Sequence, residues 1–158
     1  MRTQLSKRQP EKLEIGDFVH NFTAKDLRGE TISIDFSDKS KKRVFLYFTP
    51  TCVYCKQQFP EWKDLLFQAK DKNVQVLGIV NEDENKETIE KYLNSFNCGT
   101  NSENPLQVLF VPEETLQKNK LKLTPTTILL SANGRVEQYW LGKWKDADKI
   151  RALKLVEN

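Results

Sequence analysis

Histidine is almost missing from this chain and cysteine is scarce: His20 is the single histidine, and Cys52, Cys55 and Cys98 are the only thiols in 158 residues. An odd and small cysteine count excludes a disulfide-stapled scaffold, and Cys52-Val53-Tyr54-Cys55 is too local a pair to tie distant parts of a fold together. A structural zinc site needs a second Cys/His pair, which Cys98 and His20 do not supply, so no metal is expected. His20 stands between Phe18 and Phe22 in a strand-like or loop segment and reads as structural. That leaves Cys-His and Ser-His-Asp chemistry without a base.

An excess of one charge is lacking too. The 25 Lys and Arg nearly balance 22 Asp and Glu, and the formal charge of +3 comes from scattered residues of both signs. No nucleic-acid partner is expected: Lys118, Lys120 and Lys122, alternating with Leu121 and Leu123, read as a solvated face. The apolar runs Val44–Phe48 and Val76–Val80 fall far short of the roughly 20 residues a membrane span requires. Residues 1–12 hold Arg2, Lys7, Arg8 and Lys12 without an apolar segment or a small-residue cleavage pattern. They read as a flexible polar tail in which no export signal is visible, which leaves either a cytoplasmic location or an export signal outside this sequence. With no repeat, low-complexity tract or composition break, residues 13–158 read as one domain.

What is present is an orderly series of apolar periodicities. Thr31-Ile32-Ser33-Ile34-Asp35-Phe36 alternates at period two behind Arg28-Gly29-Glu30, which predicts a half-buried hairpin strand. Val44-Phe45-Leu46-Tyr47-Phe48 is continuously apolar and predicts a strand buried on both faces that runs straight into the cysteine pair. Beyond Thr51 the period changes: Phe59, Trp62, Leu65, Leu66 and Ala69 make one helical stripe over about 52–70. Pro60 is expected to kink that helix by removing the bond to the Lys56 carbonyl. Val74–Val80 reads as the next strand, completing a right-handed parallel crossover. There follow a helix marked by Thr88, Ile89, Tyr92, Leu93 and Phe96 and closing near Cys98-Gly99, a strand over Leu106–Val111 and a short helix from Pro112 to Asn119. A hairpin of Thr126–Ser131 and Arg135–Leu141 turns at Asn133-Gly134, and a helix over Asp146–Val156 closes the chain. The fold class is α/β.

Two thiols two residues apart, where a buried strand turns into a helix, suit thiol-disulfide exchange. The helix N-terminus offers unpaired N–H groups and the positive end of the dipole, which favour a thiolate at Cys52. At pH 7 a thiol of pKa ~8.5 is about 3% ionised, and one of pKa near 7 about half. Cys52, at the exposed helix start, is the expected nucleophile; Cys55, one turn deeper, is expected to be more buried and to resolve a mixed disulfide held at Cys52. Inert core cysteines, or a redox-inactive binding module, are the alternatives from another class.

The order Phe48-Thr49-Pro50-Thr51-Cys52-Val53-Tyr54-Cys55, Phe59-Pro60, then Thr124-Pro125-Thr126-Thr127, resembles the thioredoxin-like thiol-disulfide oxidoreductases of the TlpA/ResA-type branch. The resemblance spans most of residues 13–156 and includes the Ile15-Gly16-Asp17 and Phe22 opening. It implies a thioredoxin-like fold, a central mixed sheet flanked by helices, with an N-terminal extension and an insertion between residues 80 and 125. It also implies a cis-Pro125 facing the cysteines, with Thr124 offering backbone groups to an extended substrate; Tyr54 could flank that groove. By the same resemblance the chain needs no cofactor of its own, acts on disulfide-containing proteins such as apocytochrome c, and takes electrons from a membrane-embedded reductase in the cell envelope. A monomer is expected.

Two departures bear on the chemistry. Thioredoxin has a buried acid six residues before the first cysteine, where this chain has Leu46, and ResA-like proteins often have Glu three residues after the second, where it has Gln58. Proton removal from Cys55 would then fall to water or to Glu82 or Asp83 beyond the end of the Val74–Val80 strand, so slow or pH-shifted exchange is expected. Val53-Tyr54 carries no His or Arg to stabilise the thiolate further, which predicts a reductant rather than a strong oxidant. A thiol peroxidase of peroxiredoxin type is the enzyme alternative, with Thr49 in place but Phe45 where such enzymes carry proline. Cys98 reads as a buried helix-end residue, and Trp140 and Trp144 as packing against the last helix.

Overall fold

The computed structural model describes residues 12–157, so all of the polar tail except Lys12 lies outside the described residues. Seven strands form one mixed sheet: β1 (Phe22–Lys25), β2 (Thr31–Ile34), β3 (Lys42–Tyr47), β4 (Val74–Asn81), β5 (Gln107–Val111), β6 (Thr126–Leu130) and β7 (Val136–Leu141), in the order β2-β1-β5-β4-β3-β6-β7. The helices are α1 (Val53–Ala69), α2 (Lys86–Ser95), α3 (Glu113–Lys118) and α4 (Asp146–Glu157). This is the thioredoxin-like α/β arrangement expected, with the β1–β2 hairpin as N-terminal extension and α2, β5 and α3 between residues 80 and 125.

β3 is central because its run has no polar face to give to water. It pairs parallel with β4 and antiparallel with β6, and Val44, Phe45 and Leu46 are all buried. Strand alternation sends Val44, Leu46 and Phe48 to the side of α1, α2 and α4, and Phe45 to the side of the β1–β2 hairpin and α3. Each face thereby gains its own apolar layer. Lys149 of α4 reaches Glu61 at 2.9 Å and Asp64 at 2.7 Å, joining α4 to α1.

One local expectation is revised. The β2 strand stops at Ile34, because the Asp35 carboxylate accepts the Ser37 N–H at 2.9 Å and Asn21 accepts the Phe36 N–H at 3.0 Å, turning the chain out of the ladder. Pro60 lies inside α1, which continues on both sides of it. Pro60 and Lys56 are both exposed, so the carbonyl deprived of its partner lies on the side open to water.

The β6–β7 turn is held by Gly134, whose φ is +87° and whose missing side chain makes room for Phe36: a Cβ there would meet the ring Cγ at 2.8 Å. Gly134→Ala is therefore expected to lower stability by about 1–3 kcal/mol, through left-handed strain and displacement of the buried Phe36 ring. A urea unfolding midpoint unchanged from wild type would contradict this.

Candidate active site

The cysteine pair stands where β3 ends and α1 begins. Phe48 leaves the sheet with its N–H still on the Ile79 carbonyl at 3.1 Å, and Thr49 to Thr51 carry the chain over to Cys52. Cys52 is the N-cap of α1, with extended backbone (φ −86°, ψ 118°), and its Sγ accepts the Cys55 N–H at 3.2 Å. A sulfur thus occupies the place that a serine or aspartate oxygen usually takes, facing free N–H groups. No acid sits in the first turn of α1 to compete with a negative sulfur there.

The two thiols have opposite surroundings. Cys52 is half-buried, whereas Cys55 has 0% exposure. Partial burial works against ionisation of Cys52. The Cys55 thiol, the Thr124 side chain and the N–H groups of Cys55 and Tyr54 outweigh it, and Cys52 titrates below the ordinary thiol range. Burial, then the adjoining Cys52 thiol and its charge, pushes Cys55 up to about 12 despite the opposing backbone contact at Thr49. One thiol is prepared as a nucleophile and the other is held protonated until Cys52 is consumed.

Across from Cys52 lies the loop before β6. The Thr124–Pro125 peptide bond is cis, as the resemblance implied, and the Cys52 thiol donates to the Thr124 carbonyl at 3.7 Å. This loop is fastened by Thr126 Oγ1 donating to the Leu123 carbonyl and the Gly142 N–H donating to the Pro125 carbonyl, both at 2.7 Å. Val53, Tyr54 and Leu123 are exposed apolar side chains on these same elements, at 64%, 62% and 49%. Two surface clefts of about 640 Å³ lie elsewhere, and neither is lined by Cys52 or Cys55. The site thus presents its sulfur on an open apolar surface.

Beneath the pair is a layer that sequence reasoning did not identify. The Thr127 hydroxyl accepts two buried indole N–H groups, Trp62 Nε1 at 2.9 Å and Trp144 Nε1 at 3.1 Å. Gln58, fully buried on α1, accepts the Trp144 N–H at 2.7 Å. Thr127 appeared in the sequence only as part of a motif, and Trp144 only as packing. Their shared hydroxyl depends on tertiary contacts between α1, β6 and the segment before α4.

The remaining candidates are dispersed. Glu82 and Asp83 are exposed in the turn after β4; the Glu82 N–H donates to Val111 and the Asp83 N–H to the Asn81 side chain, both at 2.9 Å. Neither carboxylate is among the groups acting most on Cys55, which are its own burial, Cys52, Thr49 and Thr124. His20 is exposed and Cys98 is buried beyond α2. Leu46 and Phe45 are both sheet-core residues, on opposite faces of β3. Among the described residues no group of three or more His, Cys, Asp or Glu could hold a metal ion, and no helix is long and apolar enough to cross a membrane.

Thiol-disulfide oxidoreductase ResA of Geobacillus kaustophilus is 29% identical over 144 residues, which cover 90% of this chain and 78% of that protein. Sporulation thiol-disulfide oxidoreductase A of Bacillus subtilis is 24% identical over 123 residues, or 77% of this chain and 70% of that one. Among solved structures, the thioredoxin domain of a thiol-disulfide oxidoreductase from Bacteroides vulgatus superposes with a TM-score of 0.72 at 17% identity, over 93% of this chain and 100% of that one. StoA from Bacillus subtilis gives 0.64 at 18% identity, over 86% and 97%. The structural likenesses establish the fold. A family model described as the AhpC/TSA family matches residues 15–139, from the opening turn through β3, the cysteine pair and β6 into β7, and the chain belongs to that family.

Proposed function

We propose that this protein reduces or exchanges disulfides in protein substrates through Cys52 and Cys55. The observation that carries the reading is the division between the two sulfurs: Cys52 half-exposed and favoured as thiolate at the helix N-cap, Cys55 sealed and held protonated. In the reductive direction, Cys52 thiolate attacks one sulfur of a substrate disulfide, forming a mixed disulfide and expelling the other sulfur as thiolate. Cys55 then loses its proton, attacks Cys52 Sγ and releases the substrate's remaining thiolate, leaving a Cys52–Cys55 disulfide. Two electrons have passed to the substrate.

An extended segment of substrate fits the apolar surface of Tyr54, Leu123, Thr124 and Pro125 better than a small molecule would, since no enclosed cavity surrounds the nucleophile. Glu82 and Asp83 serve as proton acceptors through water, at the sheet edge where β4 ends. Electrons return from a separate reductase, membrane-embedded as in the ResA-type resemblance, and the protein works as a monomer on the outer side of the cytoplasmic membrane.

A glutathione redox titration read by mass, on wild type, Cys52→Ser and Cys55→Ser, tests the reading. A two-electron transition confined to the 52/55 pair, with Cys98 unchanged, is the expected result. Hydrogen peroxide consumption without disulfide reduction would replace this reading with the peroxidase, and no transition at all would leave a redox-inactive binding module.

A further inference from the structure

Among the described residues, two buried side-chain polar atoms have no hydrogen-bond partner, Gln58 Nε2 and the Tyr92 hydroxyl. Gln58 has a structural use, because its carbonyl caps the Trp144 N–H. The Tyr92 hydroxyl has none. Its ring stacks on Phe48 at 5.5 Å between centroids and meets Phe59 edge-on at 5.4 Å and Phe96 at 5.2 Å. A phenylalanine would make all three contacts without burying an unpaired O–H.

The ring packs against the two phenylalanines that flank the cysteine segment. Phe48 is the residue that leaves β3 for the cysteine loop, and Phe59 follows Cys55 by one turn of α1. Tyr92 and Cys55 share one buried cluster. The titratable groups acting on Tyr92 are Cys55 and Cys52; the buried Cys98 thiol shares their cluster, and the Tyr47 phenol lies on the opposite face of β3; no carboxylate among the described residues hydrogen-bonds either sulfur. Burial first, then the charges of Cys55 and Cys52, holds the Tyr92 proton far above its ordinary range, so the phenol keeps it and acts only as a donor.

We propose that the Tyr92 hydroxyl is the hydrogen-bond donor to the Cys55 sulfur when that sulfur carries negative charge, in the step where Cys55 attacks the mixed disulfide at Cys52. With no carboxylate hydrogen-bonded to either sulfur among the described residues, this site eases the second attack by stabilising the charged sulfur, while the proton itself passes to water. The inference rests on the exchange function proposed above. In the dithiol form the hydroxyl has no partner; in the mixed disulfide the charge and thiol of Cys52 no longer oppose ionisation of Cys55, and the donor acquires its acceptor.

The test is stopped-flow oxidation of the reduced protein by one equivalent of an aromatic nitrobenzoate disulfide, whose released thiolate is coloured. A first release reports attack by Cys52 and a second reports displacement by Cys55. Tyr92→Phe is expected to leave the first release within about twofold of wild type, to slow the second about tenfold at pH 7, and to move its pH midpoint up by about one unit. Site-specific fluorotyrosine at position 92, a stronger donor of nearly the same shape, is expected to speed the second release, and it decides the matter should Tyr92→Phe fail to fold. A second release unchanged in rate and pH midpoint in Tyr92→Phe, or unchanged by fluorotyrosine, overturns the assignment of Tyr92 and leaves the exchange function standing. A wild type without any second release overturns both.

Discussion

Cys52→Ser is expected to abolish reduction of protein disulfides, by about 10³-fold or more, while Cys55→Ser keeps the first attack and accumulates a mixed disulfide. A serine hydroxyl at the N-cap accepts the same N–H groups, so the helix start should survive the change. What is lost is the ionised nucleophile: an alcohol stays protonated at neutral pH under the fields that draw a thiol below its ordinary range. In Cys55→Ser the attacking sulfur remains, but no second thiol can displace the bound substrate, and the covalent complex persists until an external thiol reaches it. Insulin reduction followed by turbidity gives the activities, and intact mass gives the trapped species. Substantial turnover by Cys52→Ser, or a mixed disulfide mapped to Cys98, would contradict the account.

The second large effect is on stability. Thr127→Val conserves shape but removes the one oxygen that accepts from both Trp62 and Trp144. Both indoles are buried, and each unpaired N–H costs about 1–3 kcal/mol, so a loss of roughly 2–5 kcal/mol is expected. That is a large share of the ~5–15 kcal/mol available to a domain. Because Thr127 is two residues from Pro125 and Trp62 lies on the helix that starts at Cys52, the same change should slow exchange as well as lower the urea midpoint. A midpoint shift worth under about 0.5 kcal/mol would mean that the indoles find other acceptors.

Much of this was legible in the sequence wherever one local signal sufficed. The unbroken apolar run at Val44–Phe48 could only be a strand covered on both sides, and the switch to three- and four-residue spacing after Thr51 placed the cysteines at a strand-to-helix junction. The cis-Pro125 and the loop facing Cys52 came from family resemblance, because an X-Pro bond in a folded protein is cis only about 5–6% of the time. What stayed hidden depended on contacts between distant elements. Trp62, Thr127 and Trp144 meet at one hydroxyl although 65 and 17 residues separate the bonded pairs, and no periodicity encodes that. Tyr92 registered as one apolar member of a helical stripe. The signal was its hydroxyl: a tyrosine turned inward among phenylalanines needs a partner, but only the fold could show that none is supplied by the resting protein.

The central claim is that one fold gives two neighbouring thiols opposite reactivity, and alkylation mapped by residue tests it most directly. Reduced protein is exposed briefly to iodoacetamide between pH 5 and pH 9, and the adducts are located by peptide mass. Since Cys52 titrates below the ordinary thiol range and Cys55 is pushed up to about 12, labelling should fall on Cys52 at lower pH than on a free thiol and leave Cys55 and the buried Cys98 unmodified throughout. Equal labelling of Cys52 and Cys55, or Cys55 modified first, would contradict it.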